Sequence, residues 1–244
     1  MIDLRHGDCL ELMKGIPDNS IDMVLTDPPY GTTRCKWDSI IPFEPMWEQL
    51  KRITKDNGAI CLFGSEPFSS HLRLSNLKNY KYDWIWDKVS GGNPLNNKIM
   101  PMKTTEVISI FGLRRLNYYP VMTDALAKNI RPQSKGPQKS GLLGEFKKGF
   151  VPKSDPLKRY PKHLVMFNIR EKECNSLNRL HPTQKPVALL EYLIKTYTLE
   201  NETVLDFTMG SGSTALACKN LNRKFIGIEK DDKYFQIAKD RINA

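Results

Sequence analysis

Short apolar runs separated by amphipathic stretches organise the first 112 residues. Ile2-Asp3-Leu4-Arg5-His6 alternates apolar and polar positions with the period of a half-buried strand, and 10–13 reads as a short helix. Met23-Val24-Leu25 is uninterrupted and predicts a buried strand. Met46, Leu50 and Ile53 then recur at helical spacing, so that helix turns one apolar face inward. Ala59-Ile60-Cys61-Leu62-Phe63 is a second buried strand, 67–77 a helix, and 82–86 and 107–111 two more strands. Strands alternating with helices predict a largely parallel α/β sheet.

Over 113–179 this pattern fails. The stretch is rich in Pro, Gly, Lys and Ser, as in Arg131-Pro132-Gln133-Ser134-Lys135-Gly136, and is too long for an ordinary connection. Order returns after His181. Pro186 suits a first helical position, and Val187, Leu190, Ile194 and Tyr197 share one helical face. A strand at Val204-Leu205, a glycine turn, a helix through Ala215 and Leu221 and a strand at Phe225-Ile226-Gly227-Ile228 follow. The last helix is capped by Asp231 or Asp232 and turns Phe235, Ala238 and Ile242 inward. The expected organisation is a core half over 1–112, an insert over 113–180 and a second core half over 181–244.

Charge sharpens the role of the insert. The 244 residues carry a formal charge of +10, and over 114–179 there are 15 Lys or Arg against 5 Asp or Glu, while the rest of the chain is balanced. A polyanion such as nucleic acid is the natural partner, because each neutralised phosphate releases counterions whatever the base sequence. Five cysteines with no close pair argue against a disulfide framework or a zinc knuckle, and a reducing, cytoplasmic setting is the expectation. No apolar stretch approaches a membrane span and no signal peptide is evident. His71 and His163 lack partners at metal-ligand spacing, no metal is expected, and Trp84 reads as core.

Two segments carry chemistry. Asp27-Pro28-Pro29-Tyr30 ends the buried strand at Met23, and its prolines hold the backbone extended and stiff. Asp27 and a main-chain carbonyl can each accept one hydrogen of a planar NH2 group while Tyr30 covers a ring. The second segment, Asp206-Phe207-Thr208-Met209-Gly210-Ser211-Gly212, joins a strand to a helix, with Glu229 ending the next strand. Glycines there allow close approach to a ligand, and a carboxylate at the end of the next strand can accept from both hydroxyls of a ribose. Asp206 favours S-adenosylmethionine over a dinucleotide, since it can meet an ammonium group but would repel a pyrophosphate.

These two motifs, with the basic insert and His181-Pro182-Thr183-Gln184-Lys185-Pro186 between them, give a chain that resembles the DNA amino-methyltransferases. Their order resembles the beta group, in which the catalytic motif precedes the cofactor motif. Trp37-Asp38, Gly64-Ser65-Glu66-Pro67-Phe68 and Trp86-Asp87-Lys88 look most like the small enzymes of phages and prophages. The resemblance implies a class I, Rossmann-like methyltransferase fold, circularly permuted, with a seven-stranded, mostly parallel sheet whose last strand is antiparallel. It further implies that Asp8 meets the adenine of S-adenosylmethionine, with Cys9 beside it, and that Glu229 meets the ribose. Gly210, Gly212 and Ser213 would lie at the methionine portion, with Thr183 and Lys185 near its carboxylate. Phe207-Thr208 departs from the Pro-Phe that many relatives carry there, so neither residue inherits a role.

The implied reaction is methyl transfer to the 6-amino group of adenine in DNA. Asp27 and the Pro28 carbonyl would hold the amine, Pro29 would stiffen the turn, and Tyr30 would stack on a flipped base. Arg114, Arg115, Arg131, Lys147, Lys148, Lys158 and Arg159 in the insert are the candidate DNA contacts. Asp27 favours adenine over the 4-amino group of cytosine, where the motif more often begins with Ser. RNA or protein glutamine as substrate, a nicotinamide-dependent oxidoreductase and a catalytically silent DNA-binding module are the rival readings. The resemblance admits either a monomer or a homodimer.

Overall fold

The structure is a computed structural model that describes residues 1–33, 38–92, 97–125, 155, 157–169 and 179–243. The alternating N-terminal segment forms β1 (Ile2–His6), and Asp8 caps α1 (Cys9–Met13) by accepting from Leu10 N–H. The apolar run at Met23 lies in β2 (Ile21–Thr26), every residue of which is buried. The face made by Met46, Leu50 and Ile53 seats α2 (Phe43–Ile53) on the sheet, and β3 (Thr54–Gly64) and α3 (Phe68–Ser75) follow. Two long strands, β4 (Tyr80–Gly92) and β5 (Lys103–Phe111), complete this half.

Residues Pro120–Lys162 form a separate compact unit, in which β6 (Thr123–Asp124) pairs antiparallel with β7 (Lys158–Arg159). The main unit comprises Met1–Tyr119 and His163–Ala244. It resumes with β8 (Leu164–Met166), α4 (Val187–Tyr197) and β9 (Thr203–Asp206), then α5 (Ser213–Asn220), β10 (Lys224–Glu229) and α6 (Asp232–Asn243). Asp231 is the cap of α6, accepting from the Lys233 and Tyr234 N–H groups.

The strands join in the order β1-β10-β9-β2-β3-β5-β4-β8. Because side chains alternate across a strand, the sheet buries two faces. Met23, Leu25, Cys61 and Phe63 pack with α4 and α5 on one side, whereas Val24, Ile60 and Leu62 pack with α2 and α3 on the other. Among the described residues no helix is long and apolar enough to cross a membrane.

Three expectations need correction. The sheet has eight strands rather than seven, because β8 adds to the edge of β4 in the segment where no periodicity is visible; three residues are too few to show one. The antiparallel strand that the resemblance implies is β5, which runs against both β3 and β4; what departs from the strand–helix alternation is that β4 and β5 pair directly, with no helix between them among the described residues. Pro186 caps α4 rather than occupying its first turn.

Gly212 has a packing role beyond the turn. Its φ is +76°, and a Cβ there would lie 3.0 Å from the Ala238 Cβ of α6. Gly212→Val is expected to cost about 2–5 kcal/mol from left-handed backbone strain and overpacking. Urea unfolding measures it, and a loss below about 0.5 kcal/mol would contradict this contact.

Candidate active site

In an open α/β sheet, ligands sit beyond the carboxyl ends of the strands, where strand order reverses. Here that place is between β9 and β2. Asp8 follows β1, Glu229 ends β10, Asp206 ends β9 and Asp27 follows β2, so four carboxylates from distant parts of the chain reach the rim of one cavity of about 580 Å³. Asp8, Cys9, Asp27, Pro28, Pro29, Tyr30, Thr183, Lys185, Asp206, Gly210, Ser213 and Glu229 all line it, whereas Gly212 does not.

Asp27 is held from both sides. The Tyr30 hydroxyl donates to Oδ1 at 2.5 Å and Lys185 Nζ donates to Oδ2 at 2.5 Å. Burial, the larger effect, raises the Asp27 carboxyl above its usual range, and the Lys185 ammonium opposes it. One face of the Tyr30 ring stacks on Phe68, with centroids 5.0 Å apart. The backbone beyond is fixed by the buried Asp38, whose carboxylate accepts from the N–H groups of Gly31, Thr32 and Thr33. These bonds hold the Asp38 carboxyl below its usual value although burial alone would raise it. Pro28 lines the same cavity, and among the described residues nothing donates to its carbonyl.

Lys185 was expected at a cofactor carboxylate. Its ammonium instead meets Asp27, the Glu106 carboxylate (3.4 Å) and the Thr183 carbonyl (3.4 Å), above the Phe63 ring. Glu106, on β5 opposite Trp86, also receives Lys88 Nζ at 3.2 Å. Burial would raise the Glu106 carboxyl, but the Lys185 and Lys88 ammoniums outweigh it and hold it low. Two acids and two lysines thus form one compensated chain into the sheet.

At the glycine turn, Asp206 is buried and accepts from the hydroxyls of Thr26 and Thr214, each at 2.6 Å, and from Thr208 N–H. Burial pushes its carboxyl up to about 6. Thr208, left without a role by the family pattern, donates its hydroxyl to the Asp27 carbonyl at 3.1 Å, and its oxygen lies 2.6 Å from that of Thr26, which brings the two motifs together. Glu229 accepts from Gly210 N–H and Asp231 N–H. Asp8 receives Lys230 Nζ at 3.1 Å. His181 packs edge-on against Tyr234, and desolvation together with the Lys185 charge lowers its imidazole to about 4, so it is neutral at pH 7.

The basic candidates separate. Arg114 pairs with Asp56 at 3.0 Å, and Arg115 is exposed beside it. Asp56 lies seven residues before Phe63 on β3, about 23 Å at strand rise, so the structure puts these arginines at the opposite end of the sheet from the cavity. Lys158 and Arg159 form β7 in the separate unit, with Lys158 Nζ 2.6 Å from Asp124. Arg131, Lys147 and Lys148, like Trp37, lie outside the described residues.

Glu106, Phe63, Thr26 and Thr214 belong to none of the motifs quoted above, whereas Asp38, Lys88 and Thr208 lie within quoted segments that gave them no role. The signal available in the sequence was Lys88 in Trp86-Asp87-Lys88, a charged residue next to a strand core.

Comparison with known proteins places this geometry. A family model described as DNA methylase (N6_N4_Mtase) matches residues 21–240. The type II methyltransferase M2.LlaDCHI of Lactococcus lactis subsp. cremoris is 30% identical over 98% of this chain and 88% of its own. The type II methyltransferase M.HpaI of Haemophilus parainfluenzae is 27% identical over 98% and 73%. Among solved structures, the M1.HpyAVI–SAM complex superposes with a TM-score of 0.67 at 27% identity, covering all of both chains. The cytosine-N4-specific PvuII DNA methyltransferase gives 0.68 at 17% identity, over 98% of this chain and 86% of that one, a likeness of fold.

Proposed function

Because the chain belongs to the N6/N4 family of DNA methylases, we propose that it methylates the 6-amino group of adenine in DNA. The fold is the Rossmann-like class I methyltransferase fold, with S-adenosylmethionine as the methyl donor. The sheet order, with β9 and β10 from the C-terminal part of the chain between β1 and β2, supports the permuted reading.

The residues present fit that donor. The cavity size falls in the range of cofactor sites, and its carboxylates suit a ligand carrying a sulfonium and an ammonium rather than a pyrophosphate. Asp206 would face the ammonium, Glu229 the ribose, Asp8 and Cys9 the adenine, and Thr183, Gly210 and Ser213 the methionine portion. When bound, S-adenosylmethionine supplies an electrophilic methyl group.

The observation that carries the proposal is that Asp27 and Pro28, with Tyr30, line the same cavity as the glycine turn. An aromatic amine is a weak nucleophile because its lone pair is delocalised into the ring. Accepting one N–H at Asp27 and the other at Pro28 favours a more tetrahedral nitrogen with its lone pair directed at the methyl group. No covalent intermediate on the chain is needed, and fixed acceptors stabilise the charge that develops on nitrogen. The Tyr30 ring, which stacks on Phe68, would cover the flipped base with its other face.

Asp rather than Ser at position 27 favours adenine over cytosine. Tritium transfer to DNA followed by nucleoside analysis tests this: labelled N6-methyladenine is expected, and labelled N4-methylcytosine would reverse the base assignment.

The net charge of 114–179 supports a DNA-recognition role for the insert over 113–180, with Arg131, Lys147, Lys148, Lys158 and Arg159 as contacts. Arg114, paired with Asp56, and Arg115 are weaker candidates. The logarithm of DNA affinity is expected to fall with the logarithm of salt concentration with a slope steeper than about −3, since each neutralised phosphate contributes about −0.9. A filter-binding titration at several salt concentrations measures it, and a flat line would remove the insert from DNA contact.

A further inference from the structure

Glu106 lies one layer behind the cavity, and nothing in the amine-binding geometry above uses it. Its Oε1 is taken by Lys88 at 3.2 Å. Its Oε2 is buried without a hydrogen bond, although the Lys185 ammonium stands 3.4 Å away. A buried carboxylate oxygen held only by a loose ion pair gains from a donor that comes closer in some state of the protein.

Asp27 has the opposite problem. Both of its oxygens already accept, from Tyr30 and from Lys185, yet the target amine needs one of them. Lys185 Nζ is 2.5 Å from Asp27 and 3.4 Å from Glu106, so a shift of less than an ångström exchanges its preferred partner.

We propose that Glu106 is a positioning residue that takes up the Lys185 ammonium on its open Oε2 when the target amine displaces Lys185 from Asp27. The ammonium stays paired throughout, and no unpaired charge is left in the buried site during the exchange. Lys88 anchors the other oxygen of Glu106 and fixes the direction in which the open one points. This rests on the DNA methyltransferase reading of the same cavity.

Two variants read the exchange in opposite directions. In Glu106→Gln the ammonium has no charged alternative and stays on Asp27, so the amine competes poorly. The single-turnover methyl-transfer rate on DNA is expected to fall about tenfold, with calorimetric S-adenosylmethionine binding unchanged. The acid limb of its pH profile should move to lower pH, because Asp27 keeps Lys185 and loses the repulsion of Glu106. The charged and titratable groups facing Asp27 are Tyr30, Lys185, Glu106 and Asp206, and only Glu106 is altered. In Lys88→Gln, Glu106 claims Lys185 more fully and the acid limb should move to higher pH.

A Glu106→Gln enzyme within twofold of wild type, or limbs that shift together, would overturn the exchange; if Glu106→Gln does not fold, the direction of the Lys88→Gln shift decides. Wild type that transfers no label to DNA would instead overturn the methyltransferase reading of the cavity, a different and separately visible failure.

Discussion

Asp27→Ala is expected to reduce single-turnover methyl transfer to DNA by at least about 10³-fold while calorimetric binding of S-adenosylmethionine stays within a fewfold of wild type. The two readouts part if, as proposed, the side chain faces the amine and the donor is held by groups at the ends of β1, β9 and β10. Truncation leaves one amine hydrogen without an acceptor in a site where every other charge is compensated, so the nitrogen keeps its planar, delocalised form. The Lys185 ammonium retains Glu106 at 3.4 Å and the fold is not asked to bury a bare cation. Asp27→Asn separates charge from shape: it keeps one oxygen acceptor, and its rate should fall between wild type and Asp27→Ala. Near-normal transfer by Asp27→Ala would remove the amine-holding role altogether.

Asp206→Asn is expected to change both stability and cofactor binding. The buried carboxyl is raised to about 6 from an unfolded value of 3.8, so between these limits the folded chain binds more protons than the unfolded one. Stability from this group is therefore fully present below about pH 4 and lost as pH rises through about 6, a change on the order of 3 kcal/mol. Other acids, among them Asp38 and Glu106, are shifted down and give the opposite slope, so the informative quantity is the wild-type stability minus that of Asp206→Asn. That difference should decline from pH 4 to pH 7 in urea unfolding; a difference that rises would mean the carboxyl is not destabilised by burial. If Asp206 faces the cofactor ammonium as proposed, its loss should also weaken S-adenosylmethionine binding by about 10- to 100-fold at pH 7.5.

What the sequence discloses about this fold depends on whether the signal is local. The uninterrupted run at Met23 and the spacing of Met46, Leu50 and Ile53 report burial directly, and those elements lie where they are expected. Strand β8 does not, because its three residues gain order only from pairing with β4. The β4–β5 reversal is likewise hidden, since apolar runs give no direction.

The same division holds at the cavity. Asp27 to Tyr30, Asp206 and Glu229 are readable in the sequence because each carboxylate comes at the end of an apolar run, beside two prolines or in the strand–turn–helix–strand around the glycines. Glu106 is not, as it is one polar position in a strand whose register opposite Trp86 is fixed by the sheet. Local sequence also does not show which partners a charged side chain meets: the Lys185 ammonium lies on Asp27 and Glu106, and Arg114 on Asp56.

Thr26 and Asp206 bond across 180 positions of the chain, and β9 fills the place between β10 and β2. A chain growing from the ribosome therefore displays Asp27 and Tyr30 long before it owns the strand that closes the cavity beside them. Until 203–206 emerge, the apolar edge of β2 has no neighbour on that side, and this bare edge is what a chaperone or a second nascent chain would bind. The rim of the cavity is complete only once β9 and β10, in the last sixth of these residues, have joined the sheet. A stalled or truncated product would carry the amine-holding motif and still leave DNA unmarked.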